Sequence, residues 1–101
     1  MRDIGREELL QELAALQPAL EQDGVRHLML FGSRARRDNR PDSDVDILIE
    51  VDRTRKFSLL DAAGVYGRIF DAVGLESSVV IRDDAPEDFI QRVLDDAVPV
   101  F

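Results

Sequence analysis

The sequence has 101 residues, 45% of them apolar and 34% charged, with a formal net charge of −8. That length supports a single domain, residues 1–101, with one modest core. The acidic balance argues against a free-standing DNA binder, and the absence of cysteine excludes disulfides and thiolate metal sites, leaving a cytoplasmic protein as the simplest reading.

No apolar run is long enough to cross a bilayer, so no membrane role is expected. The opening MRDIGREELL carries acids where a secretory leader would carry basic residues and then an apolar block. Leu9, Leu10, Leu13, Leu16 and Leu20 recur at three- and four-residue steps, which predicts a helix. Pro18 should kink or divide it, and Asp23-Gly24 should stop it. Val25 to Phe31 reads as a buried strand. Gly32-Ser33 begins a turn, Arg34 to Asp38 a brief helix, and Asn39 to Ser43 a loop.

Asp44 to Val51 is the clearest strand. Val45, Ile47, Ile49 and Val51 point one way, and Asp44, Asp46, Leu48 and Glu50 the other. Ser58 to Val73 is a long helix whose predicted buried stripe is Leu59, Ala63, Tyr66, Phe70 and Val73, with Gly74 as its C-terminal cap. Ser77 to Arg82 is a third strand. Asp84-Ala85-Pro86-Glu87 resembles a capping box opening a last helix that carries Phe89, Ile90, Val93 and Leu94. The tail Val98-Pro99-Val100-Phe101 is apolar enough to dock on the body or on a partner. This order predicts an α/β (α+β) fold, a small mixed sheet with helices mainly on one face.

Asp44 and Asp46 sit two apart on the predicted strand, so their carboxylates leave one face with Cα atoms about 6–7 Å apart. Like charges held together repel, and a divalent cation relieves this. Oxygen-only ligands favour Mg²⁺, which takes one or two carboxylates plus substrate phosphates. A solvated strand face is the plain alternative. An EF-hand loop is excluded, because its glycine and glutamate positions are Ile47 and Arg53.

Gly32 and Ser33 can present a backbone N–H and a hydroxyl to an anion, and glycine permits close approach. The segment is neither a P-loop nor a nucleophile elbow. Arg34, Arg36, Arg37 and Arg40 lie within seven residues. Surface pairing accounts for at least two of them, and Arg34 and Arg36 are the candidates for holding phosphate. His27 reads as a partly buried structural histidine and Tyr66 as core.

The joint spacing is more specific than its parts. Phe31-Gly-Ser-Arg-Ala-Arg, then Ser43-Asp-Val-Asp-Ile-Leu-Ile, with ten residues between Ser33 and Asp44, resembles the signature of the DNA polymerase β-like nucleotidyltransferases. Within that superfamily it is similar to the minimal MNT-domain branch, the MntA-type antitoxins paired with HEPN toxins. The resemblance implies ATP bound with one or two Mg²⁺ at Asp44 and Asp46, and phosphates held by Gly32 and Ser33. It further implies AMP transfer to a tyrosine hydroxyl of a HEPN partner. The family usually has glycine where Arg37 stands. It also supplies a third carboxylate from the next strand, where this chain has Ser78. Glu76, two residues earlier, either substitutes for it as a catalytic acid or is an ordinary loop acid. An inactive binding module that neutralises a toxin by occlusion is the alternative, and transfer to a small molecule such as an aminoglycoside ranks third.

Overall fold

The computed structural model describes residues 4–101, so the first three residues of the opening stretch lie outside it. The leucine-rich N-terminal segment divides where the proline requires. Helix α1 spans Arg6–Ala14 and α2 spans Gln17–Gln22, with Pro18 in the first turn of α2, where a missing N–H is harmless. There follow β1 (Val25–Phe31), α3 (Ser33–Arg36), β2 (Val45–Val51), α4 (Leu59–Val73), β3 (Ser77–Ile81), a 3-10 turn (Arg82–Asp84), α5 (Glu87–Leu94) and β4 (Val98–Pro99). Among the described residues no helix is long and apolar enough to cross a membrane.

The four strands form one mixed sheet in the order β3-β2-β1-β4. β1 runs antiparallel to β2 and β4, and β2 runs parallel to β3. The alternation of β2 assigns its two faces. Val45, Ile47 and Ile49 join Leu28 and Leu30 of β1 in a core closed by Leu9, Leu13, Leu20, Val65, Ile69 and Val73 from α1, α2 and α4. Leu48, out of phase by one residue, packs instead with Ile90 and Val93 of α5, flanked by Met29, Phe31 and Val80. Phe31 meets Phe89 edge to face at 6.4 Å between ring centroids. Helices therefore cover mainly one face, and α5 covers part of the other.

The apolar tail docks on the body and adds the fourth strand. Val100 N–H donates to the Leu28 carbonyl at 2.8 Å, and Leu28 N–H donates to the Phe101 carbonyl at 3.1 Å. Gly74 caps α4 with φ +78°, a left-handed conformation that glycine adopts without a β-carbon clash.

Several expectations are corrected. On α4, Leu59, Tyr66 and Phe70 are 87%, 37% and 42% exposed, while Val65, Ile69 and Val73 are buried. The helix carries two apolar stripes. The one facing the sheet is aliphatic, whereas the other would bury a tyrosine hydroxyl needing a partner. The capping box belongs to α4, where the Ser58 hydroxyl and the Asp61 carboxylate each accept from the other's backbone N–H. At α5, Asp84 is used in the 3-10 turn and Pro86 takes the cap position with no side-chain bond. His27 is exposed, because the register of β1 against β2 shifts between Val25 and His27 and the alternation slips there.

Candidate active site

Strand register brings the two halves of the motif together. Asp46 of β2 lies opposite Phe31 of β1 on one side and Ser78 of β3 on the other. Gly32 follows Phe31 directly, so the chain turns beside the Asp46 carboxylate. The approach is so close that a β-carbon added to Gly32 would overlap that carboxylate. Gly32 also has φ +76°, which disfavours any other residue. Two independent constraints thus select glycine here, and the Gly32-Ser33 turn and Asp46 share one site. Asp44 lies just before β2 and is exposed.

The electrostatics of the pair follow from this placement. Burial raises the Asp46 carboxyl above the usual carboxylate range, and the Asp44 charge raises it further, while Arg36 pulls the other way. Two oxygen-donor carboxylates on alternate positions at the start of one strand fit one Mg²⁺ completed by phosphate or water oxygens. Among the described residues no group of three His, Cys, Asp or Glu side chains is placed to hold a metal.

The third acid is placed as follows. Ser78 is exposed beside Asp46. Glu76 lies ahead of β3, with its carbonyl accepting from Val45 N–H at 2.9 Å. Its carboxylate accepts from the Tyr66 hydroxyl, so a residue expected in the core stands instead at the rim of the site.

Arg34 is corrected from a phosphate ligand to an internal strut. It is 2% exposed. Its Nε donates to the Ser43 carbonyl at 3.0 Å, Nη2 to Pro41 at 3.2 Å and Nη1 to Ile4 at 3.5 Å. Three of its five N–H donors go to carbonyls, and its burial keeps the other two from a phosphate at the surface. It fixes the end of the loop that delivers Asp44. Sequence reading missed this because carbonyl acceptors carry no residue signature. Arg36, two residues on, is exposed and pairs with Asp96 at 2.6 Å and Asp38 at 3.1 Å. Asp96, which adds negative potential at Asp46, gave no sequence signal either.

Comparison with known proteins identifies the fold and the family. The chain is 32% identical over 83 residues to a Methanocaldococcus jannaschii protein named "Putative protein adenylyltransferase", covering 82% of this chain and 87% of that one. A solved structure of a "putative minimal nucleotidyltransferase" superposes with TM-score 0.84 at 26% identity, over 98% of this chain and 99% of the other. Two toxin–antitoxin complexes share the fold. One, with AMP-PNP, gives TM-score 0.71 at 17% identity, over 89% and 72% of the two chains. The other, a tri-AMPylated Shewanella oneidensis HEPN toxin with its MNT antitoxin, gives 0.65 at 15%, over 91% and 71%. The family described as "Polymerase beta, Nucleotidyltransferase" matches residues 15–101, and the chain belongs to that family.

Proposed function

We propose that this protein transfers AMP from ATP to a tyrosine hydroxyl of a HEPN-type partner, with Mg²⁺ as cofactor, and so acts as an antitoxin. The observation that carries the reading is the packing of Gly32 against the Asp46 carboxylate, which joins the serine turn to the acidic pair. The name of the M. jannaschii relative supports protein as the acceptor class. The AMPylated toxin in one structural neighbour supports the partner class.

Asp44 and Asp46 would hold Mg²⁺, which neutralises phosphate charge and polarises the phosphorus under attack. The Ser33 hydroxyl can donate to a phosphate oxygen seated beside the Gly32 turn. Arg36 can leave its surface carboxylates and add positive charge as the leaving group develops negative charge. The buried Arg34 keeps Asp44 in place through the Pro41–Ser43 loop. Most of the rate then comes from positioning and charge neutralisation. Tyr66, which donates to Glu76, and Phe70 stacked against it are exposed on α4, which suits a macromolecular acceptor.

A second reading is favoured by Ser78. With a hydroxyl where a third carboxylate would help deprotonate the acceptor, the chain would bind the partner and neutralise it without turnover.

Incubation of the protein with α-labelled ATP, Mg²⁺ and its HEPN-type partner separates the two. Label on a partner tyrosine, lost in Asp46→Asn, is the expected result. Protection by an unlabelled complex that survives Asp46→Asn would instead establish occlusion.

A further inference from the structure

Tyr66 is the only tyrosine of the chain, and it stands outside the machinery described above. Its ring lies against Phe70 on the outward face of α4, 6.4 Å between centroids and 18° between planes. Its hydroxyl donates to the Glu76 carboxylate. Glu76 is in turn anchored at the site. Its carbonyl holds the N–H of Val45, the residue between Asp44 and Asp46. The next two residues, Ser77 and Ser78, pair in register with Val45 and Asp46. Among the described residues no arginine, lysine or histidine pairs with Glu76. A phenol hydrogen-bonded to an otherwise uncompensated carboxylate is the arrangement of a nucleophile with its base.

We infer that Tyr66 is itself an AMP acceptor, modified within its own chain with Glu76 as the base. The inference rests on the reading that ATP binds at Gly32, Ser33, Asp44 and Asp46. The Tyr66 oxygen attacks the α-phosphorus of ATP, and a new phosphodiester O–P bond forms. The bond from that phosphorus to the bridging oxygen breaks, and pyrophosphate leaves with the electron pair. The phenolic proton passes to Glu76 and from there to solvent. The hydrogen bond to Glu76 raises the phenol above its ordinary range, and the charges of Glu76 and Asp44 add to this, so the hydroxyl is protonated at rest. Attack therefore needs the proton to leave along the hydrogen bond already present. The product is an adenylylated tyrosine at the rim of the site.

The test uses the protein alone with α-labelled ATP and Mg²⁺, alongside calorimetric ATP binding. Expected are incorporation of one AMP per chain, mapped by mass spectrometry to the peptide holding Tyr66, and an initial rate per molecule independent of protein concentration. Tyr66→Phe should bind ATP as the wild type does and take no label. Glu76→Gln should label at least about 10²-fold more slowly, the usual loss of a general base. ATP binding without modification of Tyr66 overturns the inference and leaves the nucleotide reading standing, as does label on another residue. A per-molecule rate that rises with protein concentration overturns the intramolecular step. Absence of ATP binding overturns both.

Discussion

The two faces of the sheet are built from the same strands but finished differently. On one face, Val45, Ile47 and Ile49 are covered by α1, α2 and α4 without interruption. On the other, the sequence of β2 runs Asp46, Leu48, Glu50, and α5 covers only the middle residue. Asp46 at one end is left half-buried beside the Gly32 turn. Glu50 at the other end is matched by Arg82 at 3.0 Å. The continuous face gives rigidity, and the interrupted face uses that rigidity to hold a carboxylate where solvent can reach it. Neighbours in sequence therefore have unrelated duties.

Residues 46 and 47 make that contrast measurable. Asp46→Asn should lower the proposed AMP transfer by at least about 10²-fold, because one of the two carboxylates proposed to hold Mg²⁺ is lost. Its fold should survive. Asp46 has a folded-state pKa raised above the unfolded value, so its stability contribution falls as pH rises out of the ordinary carboxylate range and stays lost at neutral pH. Asparagine removes that cost, and thermal unfolding in EDTA at neutral pH should show a midpoint no lower than wild type. Ile47→Ala should do the reverse, losing about 2–5 kcal/mol of stability for a cavity in a fully buried position. Activity per folded molecule should change little. Equal loss of fold in both variants would end the division of labour between the faces.

The arginines sharpen the same comparison at smaller amplitude. Arg34→Ala strips hydrogen bonds from the Ser43, Pro41 and Ile4 carbonyls in a closed environment. Denaturant titration should show a loss of about 2–4 kcal/mol. Arg34→Lys should restore only part of it, since one ammonium cannot span three carbonyls on a planar fork. Arg36→Ala removes exposed ion pairs and should leave the unfolding midpoint nearly unchanged. Its effect should appear in the KM for ATP. A stability loss at Arg36 equal to that at Arg34 would mean both are struts.

The pattern of success at the sequence level follows from what kind of information each feature carries. The strand expected from Asp44 to Val51 was legible to within one residue because its alternation is strict, and the helix break was legible because proline allows little else. The convergence of Gly32 and Asp46 was not contained in either residue's chemistry. It was implied by the resemblance of the whole motif to a known family and is explained by the Phe31–Asp46 register. The buried stripe of α4 was misread because both stripes are apolar at helical spacing, and only the sheet they meet distinguishes them. Arg34 and Arg36 are indistinguishable by composition. Their difference is made by main-chain carbonyls brought close by the loop, which no side-chain pattern announces. The same applies to Tyr66, whose position depends on Glu76 arriving from another element.

Arg37 carries the smallest effect and the most specific one. It ends α3 with φ +68°, the only positive φ at a non-glycine residue among those described. Members of the family resembled by the sequence usually have glycine there, and the backbone supplies the reason, since a left-handed conformation costs an ordinary residue about 1–2 kcal/mol. Arg37 offsets part of this by its ion pair with Glu7, whose carboxyl is lowered by that hydrogen bond. Arg37→Gly should therefore shift stability by less than about 1 kcal/mol at neutral pH, because relief of strain is opposed by a looser unfolded chain. Arg37→Val should destabilise clearly, keeping the strain with a β-branched side chain and losing the pair. A lowered carboxyl contributes stability above its unfolded pKa and loses it as pH falls through the folded one. The Arg37→Gly protein should gain on the wild type as the solution is acidified through that window. A difference that ignores pH would show the Glu7 pair to be idle and leave the left-handed backbone as the whole of the effect.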